Sequence, residues 1–333
     1  MSRASNRRHP AVGLVGCLVL AAMTFALALF AMKTGSLDVR WGQLFSGLFV
    51  SYDETVALIY NLRFPRILVA LMAGADLAVS GLLLQAALRN PLADPGIIGI
   101  SGGAAFVASL ITALVPTLFF SIPIFAFLGG VAAYLLIYAL AWRGSLDPVR
   151  IILVGVAVAA VFTGLTEVLG GMSNASGVSL SVSGLMQLEW SDVKQLAVYS
   201  AVGLAAAALL GPACNLMALE DETIRGLGHR PDLLRLAISG AAVLLCAAVT
   251  AVVGVIGFLA LLAPHMARRI VGSDHRILLP FTLLLGAFIL LAADTLGRLI
   301  SPPYEISAAV LMNILGGPCF IILLRREAKR VGG

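Results

Sequence analysis

Charge is scarce in this chain. Only 12% of its 333 residues are Asp, Glu, Lys or Arg, against 60% that are hydrophobic. A water-soluble domain carries about 25% charged residues, so the composition excludes an ordinary soluble fold. Cysteine is scarce too. Cys17, Cys214, Cys246 and Cys319 lie in or beside apolar runs without C-x-x-C spacing, which argues against a disulfide framework or a thiolate metal site and for small buried apolar side chains. There are three lysines, Lys33, Lys194 and Lys329. None stands in the G-x-x-x-x-G-K-[ST] pattern whose amides and lysine hold nucleotide phosphates; Lys33 precedes Thr34 but follows Met32, where glycine is required. Any ATP-driven work therefore needs an ATPase on another chain. Short alternating segments, the mark of a membrane β-barrel, are missing as well.

What remains is long apolar runs. A helix that crosses hydrocarbon satisfies its own backbone and needs about 20 apolar residues. Ten such spans can be drawn, near residues 11–32, 64–87, 96–115, 118–141, 149–170, 193–213, 234–253, 256–271, 278–299 and 305–324. The first is too long for a signal-peptide core of about 7–15 residues and reads as a permanent span. The eighth is short, and Gly254, Gly257 and Pro264 suggest a helix broken or docked inside a bundle. With ten spans, sixteen of the 22 Lys and Arg residues fall on the side of the termini and six on the other. The positive-inside rule then makes both termini cytoplasmic. The net charge of +5 follows from this asymmetry and does not imply nucleic acid.

Three kinds of polar feature interrupt the runs. The stretch "RNPLADPGIIGISGGAAF" (89–106) contains Gly99, Ser101 and Gly103 at the G-x-S-x-G spacing of a hydrolase nucleophile turn, and His265 could serve as a base. No strand precedes the serine, so small residues at a helix contact are the stronger reading. Pro91 and Pro95 make "RNPLADP" a turn between spans two and three, with Asp94 placed to cap at Gly96. Asp76, Glu167 and Asp294 lie within spans, where a carboxylate lines a wet path or bonds a neighbouring helix. Arg298 stands four residues after Asp294 and can pair with it. Finally, "ALEDETIRGLGHRPDLLR" (218–235) reads as a short amphipathic helix, a glycine turn and a second helix start, and as a docking surface for a soluble partner. Arg63, Arg66 and Arg298 sit at the less positive face, where they reach headgroups or bind carboxylates of an external partner.

Four segments in order, "LRFPRILVALMAGADLAVSGLLLQAALRNPLADPGIIGISGGAAF", "DETIRGLGHR", "GVIGFLALLAPHMARRIVGSDHRILLP" and "LLAADTLGRLISPPYEIS" with "ILGGPCFIILLRR", resemble the FecCD family over about residues 35–326. That family comprises the membrane permease subunits of bacterial ABC importers for iron–siderophore complexes, haem and cobalamin. The resemblance implies one all-α polytopic domain over residues 1–333, with ten transmembrane helices in the type II ABC importer permease fold, in the bacterial inner membrane. It implies a second permease subunit, identical or related, with the path between the two. Two cytoplasmic ATPases would hold ATP and Mg²⁺, no cofactor or metal being bound by this chain. They would dock on a coupling segment near 218–232, through Leu219, Asp221, Glu222, Thr223, Leu227 and Gly228. A periplasmic binding protein would present glutamates to Arg63, Arg66 and Arg298. The cytoplasmic gate would include Asn90, Pro91, Leu92 and the region of Asp147.

The resemblance has departures. Asp76 replaces a small apolar residue, which marks it as a candidate path-lining position. Ala260, Ala308 and Ala309 stand where glycine is typical, and the tryptophan-bearing segment before span six is blurred. The expectation is a non-enzymatic permease that carries a metal chelate, a ferric siderophore before haem or cobalamin. A proton-coupled secondary transporter using Asp76 and Glu167 is the alternative of a different class.

Overall fold

A computed structural model of the chain describes residues 10–34, 40–49, 53–96, 98–143, 145–174, 184–185, 188–300 and 304–331. The described residues form twelve α-helices, one 3₁₀ segment (Pro116–Ser121) and no strand. In chain order the helices are α1 (Pro10–Lys33), α2 (Trp41–Phe49), α3 (Glu54–Ala87), α4 (Ile100–Leu114), α5 (Ile122–Ala141), α6 (Pro148–Asn174), α7 (Trp190–Leu216), α8 (Asp221–Gly226), α9 (Pro231–Val253), α10 (Leu259–Val271), α11 (His275–Ile300) and α12 (Ala308–Val331). Each expected span falls on a helix. Seven of them, α1, α3, α5, α6, α7, α9 and α11, are long and apolar enough to cross a membrane over their described residues. The other three expected spans fall on α4, α10 and α12.

Helix α3 is the axis of the bundle and packs against α1, α7, α9, α10 and α11. Small residues make this possible. A Cβ on Gly74 would sit 2.4 Å from the carbonyl oxygen of Gly286 on α11, and one on Gly81 would sit 1.9 Å from the carbonyl oxygen of Ala260 on α10. Backbones approach this closely only where side chains are absent, and van der Waals packing then replaces the hydrophobic drive that lipid does not supply. In contrast, α6 leaves most of its length uncovered, with Leu153, Val156, Val161, Leu165 and Val168 exposed.

Several boundaries differ from the sequence reading. Helix α3 begins at Glu54, ten residues before the expected start, because the Asp53 carboxylate accepts the Val56 N–H at 3.1 Å and caps it there. The polar residues Asn61 and Arg63 belong to the helix rather than preceding it. Helix α4 begins at Ile100 instead of 96. Its N-cap Gly99 has φ +91°, a conformation that glycine adopts without strain, and lies against Gly155 and Ala159 of α6. Asp94 caps the turn, accepting the Gly96 N–H at 2.7 Å, and not the helix. The short eighth helix is as anticipated. Gly254 caps the end of α9, residues 254–258 run without helix, and Phe258 at φ +64° opens α10, whose first seven residues are all buried.

Candidate functional site

Helix ends leave unpaired carbonyls, and in this bundle arginines collect them. The C-terminal ends of α3, α5 and α7 meet at one end of the molecule. There Arg235 donates to the carbonyl of Ala87 (3.1 Å), Arg89 to that of Met217 (2.6 Å) and Arg150 to that of Ala141 (3.2 Å). Arg235 is fully buried. It also donates to the Leu146 carbonyl at 2.9 Å and pairs with Asp232 at 3.4 Å and Asp221 at 3.2 Å. Arg89 pairs with the same Asp221 carboxylate at 2.6 Å. Burial alone would raise the Asp221 carboxyl; the Arg235 and Arg89 guanidiniums outweigh that and hold it below the usual carboxylate range.

This arrangement brings together residues that the sequence reading placed in two groups. Asp221 opens α8, the expected coupling helix, which is anchored by the fully buried Ile224. Leu219, Glu222, Thr223 and Leu227 are exposed around it. Gly228, at φ +84°, closes the helix, its N–H reaching the Arg225 carbonyl at 2.9 Å; only glycine takes this conformation readily. The turn of Asn90, Pro91 and Leu92 follows directly from Arg89. The Asn90 side chain accepts the Leu92 N–H at 2.8 Å and so shapes the turn, while Leu92 is exposed. Asp147 accepts the N–H of Val149 at 2.8 Å and caps α6, next to the Leu146 that Arg235 holds. Arg89 and Arg235 themselves were counted only as positive charge in the sequence. The available signal for Arg235 was an arginine near the start of an apolar helix, three residues after an aspartate.

About 30 Å away along α3, at 1.5 Å per residue from Ala87 back to Arg66, lies a second cluster. Arg66 pairs with Asp294 at 2.8 Å and with Glu305 at 2.5 Å, and Asp294 pairs with Arg298 at 3.3 Å. The expected Asp294–Arg298 pair is thus present, with Arg66 as an unforeseen second partner. The picture of three arginines presented outward needs correction. Arg63 and Arg298 are buried, and they donate to the α1 carbonyls of Met32 (2.7 Å) and Ala31 (3.2 Å), because the end of α1 needs donors there. Arg66 is 11% exposed, and Glu305 beside it 36%.

Between the two ends a cavity of about 430 Å³ opens among α4, α6 and the segment before α10. Its lining includes Ser101, Thr163, Thr166, Glu167 and Phe258. Asp76, expected on the path, does not line it. Asp76 is fully buried, with one carboxylate oxygen bonded to the Ser200 hydroxyl of α7 and the other without a hydrogen-bond partner among the described residues. Glu167, its companion in the proton-coupled alternative, faces the cavity instead. Ser101 lies 3.2 Å from the Cys246 sulfur and accepts from Thr250 at 3.4 Å, in a small polar chain between α4 and α9. Among the described residues no group of three His, Cys, Asp or Glu side chains is placed to hold a metal ion.

The sequence pattern of the FecCD transport family matches residues 20–326. The chain belongs to the FecCD transport family. This permease is 41% identical over 312 residues to the "Probable heme-iron transport system permease protein IsdF" of Staphylococcus aureus strain Newman, covering 94% of the chain and 96% of IsdF. Its fold matches that of a metal-chelate type ABC transporter solved in an inward-facing conformation, with a TM-score of 0.82 and 27% identity over 94% of this chain and 99% of that one. A more distant match, PsaBC from Streptococcus pneumoniae in complex with Fab, has a TM-score of 0.58 at 14% identity, covers 85% of this chain and 95% of that one, and speaks for the fold alone. The protein is a multi-pass membrane permease of the ABC importer type, as the sequence motifs implied.

Proposed function

We propose that this FecCD permease carries haem iron across the inner membrane, as the transmembrane subunit of an ATP-driven importer. The observation that carries the cargo is the 41% identity to IsdF over nearly the full length of both chains. It favours haem over the ferric siderophore expected first. The cavity supports an amphiphilic cargo, having Phe258 and Leu261 on its wall beside the hydroxyls of Ser101, Thr163 and Thr166. In this reading ten helices cross the membrane, both termini are cytoplasmic, and a second permease subunit completes the path. ATP and Mg²⁺ are bound by two separate ATPase subunits that dock on α8 and its flanks. Leu219 and Leu227 offer apolar contact there, and Glu222 and Thr223 offer polar contact. Asn90, Pro91, Leu92 and Asp147 form the gate at that end. A periplasmic binding protein docks at the opposite end, near Arg66 and Glu305, with Arg63 and Arg298 behind them holding α1 in place.

The test is reconstitution of the permease with its ATPases and binding protein in proteoliposomes. ATP-dependent uptake of haem, without uptake of ferric hydroxamate siderophores, is the expected result. Siderophore uptake without haem uptake would overturn the cargo assignment. Uptake driven by a proton gradient in vesicles lacking the ATPases would overturn the importer reading itself.

A further inference from the structure

We propose that Arg235, Asp221 and Arg89 form a rigid transmission node, which carries any displacement of α8 directly to the Asn90–Leu92 turn and to the loop before α6. The inference rests on the reading of α8 as the docking site of the driving ATPase. Three otherwise separate loops converge on the node. The turn after α3 is held through Arg89 and through the Ala87 carbonyl. The loop before α6 is held through both backbone polar groups of Leu146. Its carbonyl accepts from Arg235 at 2.9 Å, and its N–H donates to Asp232 at 3.2 Å. The segment between α7 and α8 is held through the Met217 carbonyl, and the start of α8 through the Asp221 carboxylate.

The chemistry favours a connection that stays closed. Arg235 is fully buried and its acceptors come from the last residue of α3, the loop before α6, the first residue of α8 and its own helix. Parting a buried guanidinium from its acceptors leaves an uncompensated charge, among the costliest local changes a protein can undergo. The other half of the connection is Arg89, which is held in the left-handed region at φ +47° where the chain leaves α3. A non-glycine residue stays there only when its surroundings over-determine it, and two hydrogen bonds from its guanidinium do so. Asp221 therefore joins a surface helix to two loops through one carboxylate. Arg89, Asp221 and Arg235 are positioning residues: they touch no cargo and act through the turn and the loop they hold.

Two measurements on the complete reconstituted transporter test this. The first compares wild type with Asp221→Asn and with Arg89→Gln, both at side chains that are 31% exposed and leave Arg235 in place. Arg89→Gln, outside the docking residues, should assemble with its ATPases and hydrolyse ATP, and in assembled complexes of either variant cargo taken up per ATP should fall about tenfold, the scale of one lost charge-assisted hydrogen bond. Wild-type coupling in either assembled variant would overturn the node. The second places spin labels at Leu92→Cys and Glu222→Cys in a background without the native cysteines. The interlabel distance should be the same in nucleotide-free and ATP-trapped complexes; a distance that changes with nucleotide would show that turn and helix move separately and overturn the proposal. Wild-type complexes without ATP-driven uptake would refute the importer reading and this inference with it. Active wild type with fully coupled variants would refute only the node.

Discussion

The two ends of α3 use the same residue for different ends. At both, buried arginines satisfy the carbonyls of finishing helices and pair with carboxylates. Around Asp294 the partners sit on long helices. Arg66 comes from α3 and Arg298 from α11 itself, and behind them Arg63 and Arg298 hold α1. Around Asp221 one partner, Arg89, stands in a turn and the other, Arg235, on the long helix α9, and the carboxylate stands on a six-residue surface helix. Asp294 is fully buried, whereas Asp221 is 31% exposed. The first cluster ties the scaffold together. The second ties a turn, a loop and a short surface helix to α9, next to exposed residues of α8. Burial of the carboxylate, more than the number of arginines, separates the two.

The comparison can be broken most forcefully at Asp294. Asp294→Ala leaves Arg66 and Arg298 without their shared counter-charge in a buried setting, and should cost about 3–5 kcal/mol of stability. Thermal unfolding in detergent would register this, and a variant as stable as wild type would place the scaffold's strength elsewhere. Next comes the rod between the clusters. Gly81→Val drives side-chain atoms into the Ala260 carbonyl and should destabilise by about 1–3 kcal/mol, measured in the same way. If it also abolished uptake per ATP while the folded complex persisted, the two ends would be coupled through α3 rather than independent.

At the other cluster, Asp221→Asn should cost only about 1 kcal/mol, because the pair with Arg89 is solvent-screened and Arg235 keeps Asp232 and the Ala87 and Leu146 carbonyls as acceptors. A loss as large as that of Asp294→Ala would erase the distinction drawn between them. The smallest effect is on pH. The folded Asp221 carboxyl is held below its ordinary range, so its contribution is complete above that range and is lost as pH falls through the lowered value. Acid titration should therefore show wild type losing a small increment of stability on acidification that Asp221→Asn does not lose.

The chain's hydrocarbon runs made the helices legible, and the glycine turn at Gly228 together with the charges of 221–225 marked α8. The two prolines marked the turn after α3. The Asp294–Arg298 pair followed from spacing alone. The partners of Arg235 did not, since Ala87, Leu146 and Asp221 are 148, 89 and 14 residues away along the chain. Nor did spacing reveal that Asp76 bonds to Ser200, 124 residues on, rather than facing the cavity.

The sequence by itself determined that the chain lives in a membrane, roughly where its helices run, and to which family it belongs, because hydrocarbon imposes length and apolarity on every crossing segment. Only the tertiary structure decided what each arginine does. A guanidinium is placed by the carbonyls and carboxylates that surround it, and those acceptors are brought together by helix ends that meet in space and are far apart in the chain.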